Sequence, residues 1–140
     1  TETTAPVSAL ATGLRPLGLK DATALEGVQV VFEGRTLPPE AVPVVRGGVL
    51  MVSLKQMFEA DGGALYWFPT ERRGRAVTAT ADLTVQVGSR RALVNGESRE
   101  LSAAPVLEAG RLLVPLDLVA DVLGVSFLFD PQARKVIIQR

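Results

Sequence analysis

The feature that most constrains this chain is an internal match at a constant spacing of 62 residues. Phe32-Glu33-Gly34 is answered by Val94-Asn95-Gly96, Pro43-Val44-Val45 by Pro105-Val106-Leu107, and Gly48 by Gly110. Val52 and Leu54 match Val114 and Leu116, Gly62 matches Gly124, Trp67 meets Phe129, and Pro69 meets Pro131. One shared glycine means little. This many matches in a single ungapped register mark two copies of one unit, about residues 28–80 and 83–140.

Both copies read in the same order. An alternating apolar strand comes first (Val28–Phe32, Thr84–Val94), closed by Gly34 or by the hairpin signal Asn95-Gly96. A Pro-led apolar strand follows (Pro43–Val45, Pro105–Leu107), then a glycine turn and a helix. The first helix starts at Ser53, whose hydroxyl can cap the backbone while Gln56 reaches back; Leu54, Met57 and Phe58 form its apolar stripe. The second starts at Pro115, with Leu116, Val119, Ala120 and Leu123 as its stripe. Gly62 and Gly124 suit left-handed C-caps. Each copy ends in a hairpin, Ala64–Phe68 with Ala76–Thr80 and Val125–Phe129 with Lys135–Gln139, and the first has the longer turn, running through Arg75.

The expected class is therefore α+β: two strand-strand-helix-strand-strand units whose curved antiparallel sheets pack around two short helices. Neither unit alone covers its helix, so one domain is expected over residues 27–140. Residues 1–26 lack sustained periodicity and read as a leader or linker. A short apolar turn near Leu14–Leu19 would pack on the body, with terminal strand pairing as the alternative. The start at Thr1 without Met suggests a processed or trimmed chain.

Composition removes several chemistries. Of 140 residues 47% are hydrophobic, enough for a packed core. The fifteen basic and fifteen acidic residues cancel, so nothing draws the whole chain to nucleic acid or anionic lipid. There is no His and no Cys. The usual proton carrier near neutral pH, thiol chemistry, and the common ligands for zinc, copper and haem are thus missing, and neither a metal nor a cofactor is expected. No calcium-loop motif occurs and no apolar run could span a bilayer.

The segment Pro105-Val106-Leu107-Glu108-Ala109-Gly110-Arg111-Leu112-Leu113-Val114-Pro115-Leu116, followed by Leu123-Gly124-Val125, Phe129-Asp130-Pro131 and Lys135-Val136-Ile137-Ile138, resembles the copper amine oxidase-like N-terminal domain family. The Val94-Asn95-Gly96 turn fits the same pattern. The resemblance covers about residues 28–140, and the second copy fits better: in the first, Ser53 replaces the Pro, Lys55 holds the usual Arg place and Phe68 stands where Asp130 stands. Asp117 also replaces the usual Arg. In the oxidases copper is held by histidines of a separate domain, so the resemblance implies the appended module and not the oxidase. It further implies a strongly curved antiparallel sheet around a helix, an extracytoplasmic setting in a larger bacterial envelope protein, and no transferable ligand or catalytic residue.

Tyr66-Trp67-Phe68 concentrates three of the seven aromatic residues. Alternation directs Trp67, the partner of Phe129, to the core and leaves Tyr66 and Phe68 facing outward or packed beneath the leader. Outward, with Arg72, Arg73 and Arg75 in the enlarged turn, they form a candidate site for a cell-envelope polysaccharide or another envelope protein. The plain alternative for these arginines is a solvated loop; Arg90-Arg91 is a weaker candidate. No catalytic set emerges. A G-x-S-x-G elbow is absent, Ser53 and Lys55 face different ways on their helix, and Asp117 and Asp121 read as a solvated strip. Gly47-Gly48 and Gly62-Gly63 lack the spacing of a phosphate loop. The expected function is a non-catalytic binding or spacer module; the alternative is a protein–protein assembly domain whose edge strands pair with a neighbour.

Overall fold

Residues 14–140 are described by a computed structural model; the leader's first part, residues 1–13, lies outside the described residues. After β1 (Arg15–Pro16) and a 3-10 turn (Leu19–Ala24) come β2 (Gln29–Phe32), β3 (Arg35–Thr36), β4 (Val44–Arg46), β5 (Val49–Ser53), α1 (Leu54–Ala60), β6 (Ala64–Phe68) and β7 (Arg73–Val77). The chain continues through β8 (Asp82–Gln86), β9 (Arg91–Val94), β10 (Glu97–Glu100), β11 (Val106–Glu108), β12 (Arg111–Pro115), α2 (Leu116–Leu123), β13 (Ser126–Asp130) and β14 (Lys135–Gln139). Strands β2 and β9, β5 and β12, β6 and β13, and β7 and β14 begin at positions 29 and 91, 49 and 111, 64 and 126, and 73 and 135.

The strands form three curled, largely antiparallel sheets. The first has the order β1-β13-β14-β2-β3, the second β10-β9-β8-β7-β6, and the third β11-β12-β5-β4. At the centre of the third, Leu113 pairs with Ser53, Val114 with Val52 and Pro115 with Met51. That register is symmetric about the Val52–Val114 pair, since 52 and 114 are the same 62 residues apart. The first sheet joins β2 and β3 from the early chain to β13 and β14 from its end, and β14 runs parallel to β2. The expectation of antiparallel pairing alone is corrected here, because strands from opposite ends of the chain carry no hairpin constraint on direction.

Both helices turn their apolar stripes into one core. Leu54, Met57 and Phe58 of α1 are wholly buried, as is Val119 of α2, while Leu118 and Leu123 are nearly so. Phe32, Phe129, Val136 and Ile138 close over them from the first sheet and Ala76, Leu83 and Val85 from the second. Ser53 Oγ accepts the Gln56 N–H at 3.3 Å at the start of α1, and Gly124 caps α2 at φ 69°.

Two further sequence expectations are corrected, and an alternative left open for the leader is decided. The stretch Thr84–Val94 is two strands: Gly88 at φ 85° reverses the chain after Val87, so β8 and β9 pair with each other. The first closing hairpin has no enlarged turn. Pro69–Arg72 and Pro131–Arg134 are both four-residue turns, and Arg73 and Arg75 stand on β7. Polar side chains suggested a loop there, yet Gly74 and Ala76 alternate with the two arginines and are buried, the two-residue period of a strand with one wet face. Finally, the leader's residues nearest the body form a strand first and a turn second. Arg15 pairs with Phe129 and Pro16 with Leu128, which realises the strand-pairing alternative. The following turn is fixed by Asp21, only 4% exposed, whose carboxylate accepts two bonds from Arg15 (2.7 and 2.9 Å) and one from the Gly18 N–H. The Arg15 guanidinium holds the Asp21 carboxyl below its ordinary range, against the opposing effect of burial.

Candidate functional site

The second sheet has one dry face and one wet face. Leu65, Trp67, Gly74, Ala76, Leu83, Val85 and Ala92 point inward; Tyr66, Phe68, Arg73, Arg75, Asp82, Thr84, Gln86, Arg91 and Leu93 point outward by register. Trp67 packs against the core beside Leu65, the side expected from alternation. Tyr66 is 54% exposed, Phe68 40% and Leu93 48%, so the wet face carries large apolar groups that folding leaves unburied.

Cross-strand pairing sets what each arginine can do. Phe68 stands opposite Arg73, and the Arg73 guanidinium lies 5.7 Å from the Phe68 ring centroid. Tyr66 stands opposite Arg75, but Arg75 is committed to Asp82 through Nε at 3.0 Å and Nη2 at 2.6 Å. That bidentate bond lowers the Asp82 carboxyl and raises the Arg75 guanidinium from their ordinary values. Arg72 is apart from both, in the turn at φ 53°, with an exposed side chain. The structure thus gathers Tyr66, Phe68, Arg73 and Arg75 on one face and leaves Arg72 at its rim. Arg90 and Arg91 do not join as a pair, since Arg90 Nε bonds the Leu101 carbonyl and Arg91 Nη1 the Ser98 hydroxyl.

A shallow depression of about 430 Å³ lies among Phe68, Arg73, Arg75, Asp82, Thr84 and Leu93. Thr84 and Leu93 were missed because a single strand was read over 84–94, and Asp82 because that strand was started two residues late; the outward phase of Asp82-Leu83-Thr84-Val85-Gln86 is the signal that finds Asp82 and Thr84. On the inner side of β6, a larger cleft of about 740 Å³ opens between Leu65, Trp67, Lys55, Gln56, Leu107 and Arg111.

The two carboxylates of α2 are each engaged and stand apart from both depressions. Asp117 Oδ1 accepts from Ser102 Oγ at 3.1 Å and from the Leu118 N–H, whereas Asp121 pairs with Arg99. Among the described residues no three His, Cys, Asp or Glu side chains converge as a metal site, and no helix is long and apolar enough to cross a membrane.

The family model described as copper amine oxidase N-terminal domain matches residues 31–138. The chain belongs to that family. The copper amine oxidase N-terminal domain is a non-catalytic accessory domain. The copper of its name lacks its usual donors here: the chain contains neither His nor Cys, and among the described residues no carboxylates cluster, so the residues present do not fit a copper site. None of the curated proteins compared with the chain matches it.

Proposed function

We propose that this copper amine oxidase N-terminal domain is a non-catalytic binding module of a bacterial envelope protein, working outside the cytoplasm and contacting envelope polysaccharide through the wet face of its second sheet. The observation that carries the reading is that face itself: Tyr66, Phe68 and Leu93 remain exposed on the outward side of the sheet, with Arg73 stacked on Phe68. Aromatic faces of this kind suit the apolar faces of sugar rings, and Arg72 and Arg73 suit the acidic groups of wall polymers. We further infer that the two halves are copies of one unit, supported by element bounds that recur at 62 residues and by the symmetric β5–β12 register.

The test is retention of the purified chain on insoluble envelope material at low and moderate salt. Tyr66→Ser with Phe68→Ser is expected to reduce retention severalfold, and Arg72→Glu with Arg73→Glu to remove its salt-sensitive part, both with little change in melting temperature. Unchanged retention in both double variants overturns the site. The assembly reading rests on one observation, the outer edges of β6 and β10 that end the second sheet. It predicts concentration-dependent sedimentation in the absence of any polymer.

A further inference from the structure

The cleft inside β6 has a counterpart elsewhere in the molecule, and the counterpart is filled. Adding 62 to Leu65 and Trp67 gives Phe127 and Phe129 on β13, and subtracting 62 from Leu107 and Arg111 gives Val45 and Val49 on β4 and β5. The leader occupies that second place. Its Arg15 and Pro16 pair with Phe129 and Leu128 along the outer edge of β13, and the Leu17 N–H donates to the Phe127 carbonyl at 2.9 Å. The turn over Leu19–Ala24 then packs on β4 and β5. The Arg15 guanidinium lies 5.6 Å from the Phe129 ring centroid.

Coverage explains a difference in burial. Phe127 and Phe129, under the leader, are 5% and 2% exposed, whereas Leu65 and Trp67 are half-buried and border a cleft of about 740 Å³. Among the described residues no strand pairs with the outer edge of β6. The two edges are thus built alike, and one is sealed by an arginine-led apolar segment of the chain itself.

We propose that the outer edge of β6 and the cleft beneath it are a docking site for an extended segment of a partner protein with the chemistry of residues 14–25: an arginine that stacks on Trp67, an apolar residue two positions later that adds to the Leu65 edge, and a compact turn seated between Leu107 and Arg111. Backbone pairing supplies the binding mode, and the side-chain pockets select the sequence. Tryptophan is the better ring for a cation than the Phe129 it replaces, so the arginine is the selective element. The site is independent of the polysaccharide-binding face, because Leu65 and Trp67 point away from Tyr66 and Phe68.

The probe is a synthetic peptide of residues 14–25, Leu-Arg-Pro-Leu-Gly-Leu-Lys-Asp-Ala-Thr-Ala-Leu, added to the full chain. Trp67 is the sole tryptophan of the chain and the peptide has none, so its emission reports directly on the cleft. A saturable change in Trp67 emission is expected, with amide shifts by NMR at Leu65–Phe68. The same peptide carrying Arg15→Ala should bind about tenfold more weakly, and one N-methylated at Leu17 should not bind. The proposal is overturned by no saturable response, by equal binding of a scrambled peptide, or by amide shifts confined to Phe127–Phe129, which would mean exchange with the chain's own leader.

Discussion

Gly63 and Val125 occupy the same place after their helices. The Gly63 N–H donates to the Phe58 carbonyl at 2.8 Å and the Val125 N–H to the Ala120 carbonyl at 3.0 Å. A valine is buried at one position, yet a methyl group is excluded at the other. A Cβ built on Gly63 overlaps the Val77 carbonyl oxygen and lies 2.8 Å from Thr78 Cγ2, whereas ordinary contact begins at 3.4 Å. The threonine must therefore retreat by 0.6 Å (3.4 − 2.8), and the carbonyl by more. That carbonyl is backbone, held in the β6–β7 ladder where Ala64 pairs with Val77, so it cannot rotate aside. Overpacking costs about 1–3 kcal/mol, and opening the ladder at that point adds about 1 kcal/mol. Gly63→Ala is expected to lose about 3 kcal/mol and roughly 10 °C of melting temperature. Urea unfolding followed by Trp67 fluorescence and by circular dichroism gives the number. Gly62→Ala is the control: Gly62 has φ 84° and open space around it, so it bears only the left-handed backbone cost of about 1–2 kcal/mol. If Gly63→Ala costs less than Gly62→Ala, close approach of Val77 is not what requires glycine at 63.

Two further outcomes follow from the ion pairs. Asp21→Asn removes the carboxylate that ties Arg15 to the Gly18 turn, and is expected to cost about 1–3 kcal/mol in chemical denaturation. Because the Asp21 carboxyl titrates below its ordinary value of 3.8, its stabilisation is present above that pH and disappears as pH falls through the lower folded value. The variant should therefore show a shallower acid limb below pH 3.8, and an unchanged limb would refute the pairing. Arg46 and Glu108, themselves 62 residues apart, form a bidentate pair at 2.7 and 2.6 Å with both side chains well exposed. Glu108→Gln should shift the melting temperature only slightly, by less at high salt; a large, salt-independent loss would refute a screened surface pair.

Much of this architecture is legible in the residues because local rules act at short range. Ser53 with Gln56, Gly124 after Leu123, and Asn95-Gly96 between two strands each state an element boundary through backbone chemistry that needs no distant partner. The inward turn of Trp67 is legible for the same reason, since strand alternation has a fixed period. The corrections cluster where local chemistry is ambiguous. Arg73-Gly74-Arg75 reads as a loop until the side chain of Leu112 is seen against Gly74, and Thr84–Val94 reads as one strand until Gly88 reverses it.

Residue identity and spacing alone were enough for the lack of histidine and cysteine side chains and for the apolar stripes of two short helices. Long-range packing was needed to set β14 parallel to β2, to neutralise Arg75 with Asp82, and to pair Arg15–Pro16 with β13 while, among the described residues, β6 keeps an unpaired outer edge. Those outcomes depend on which strands meet across long separations. Many pairings satisfy the same local pattern, and packing around the shared core selects among them.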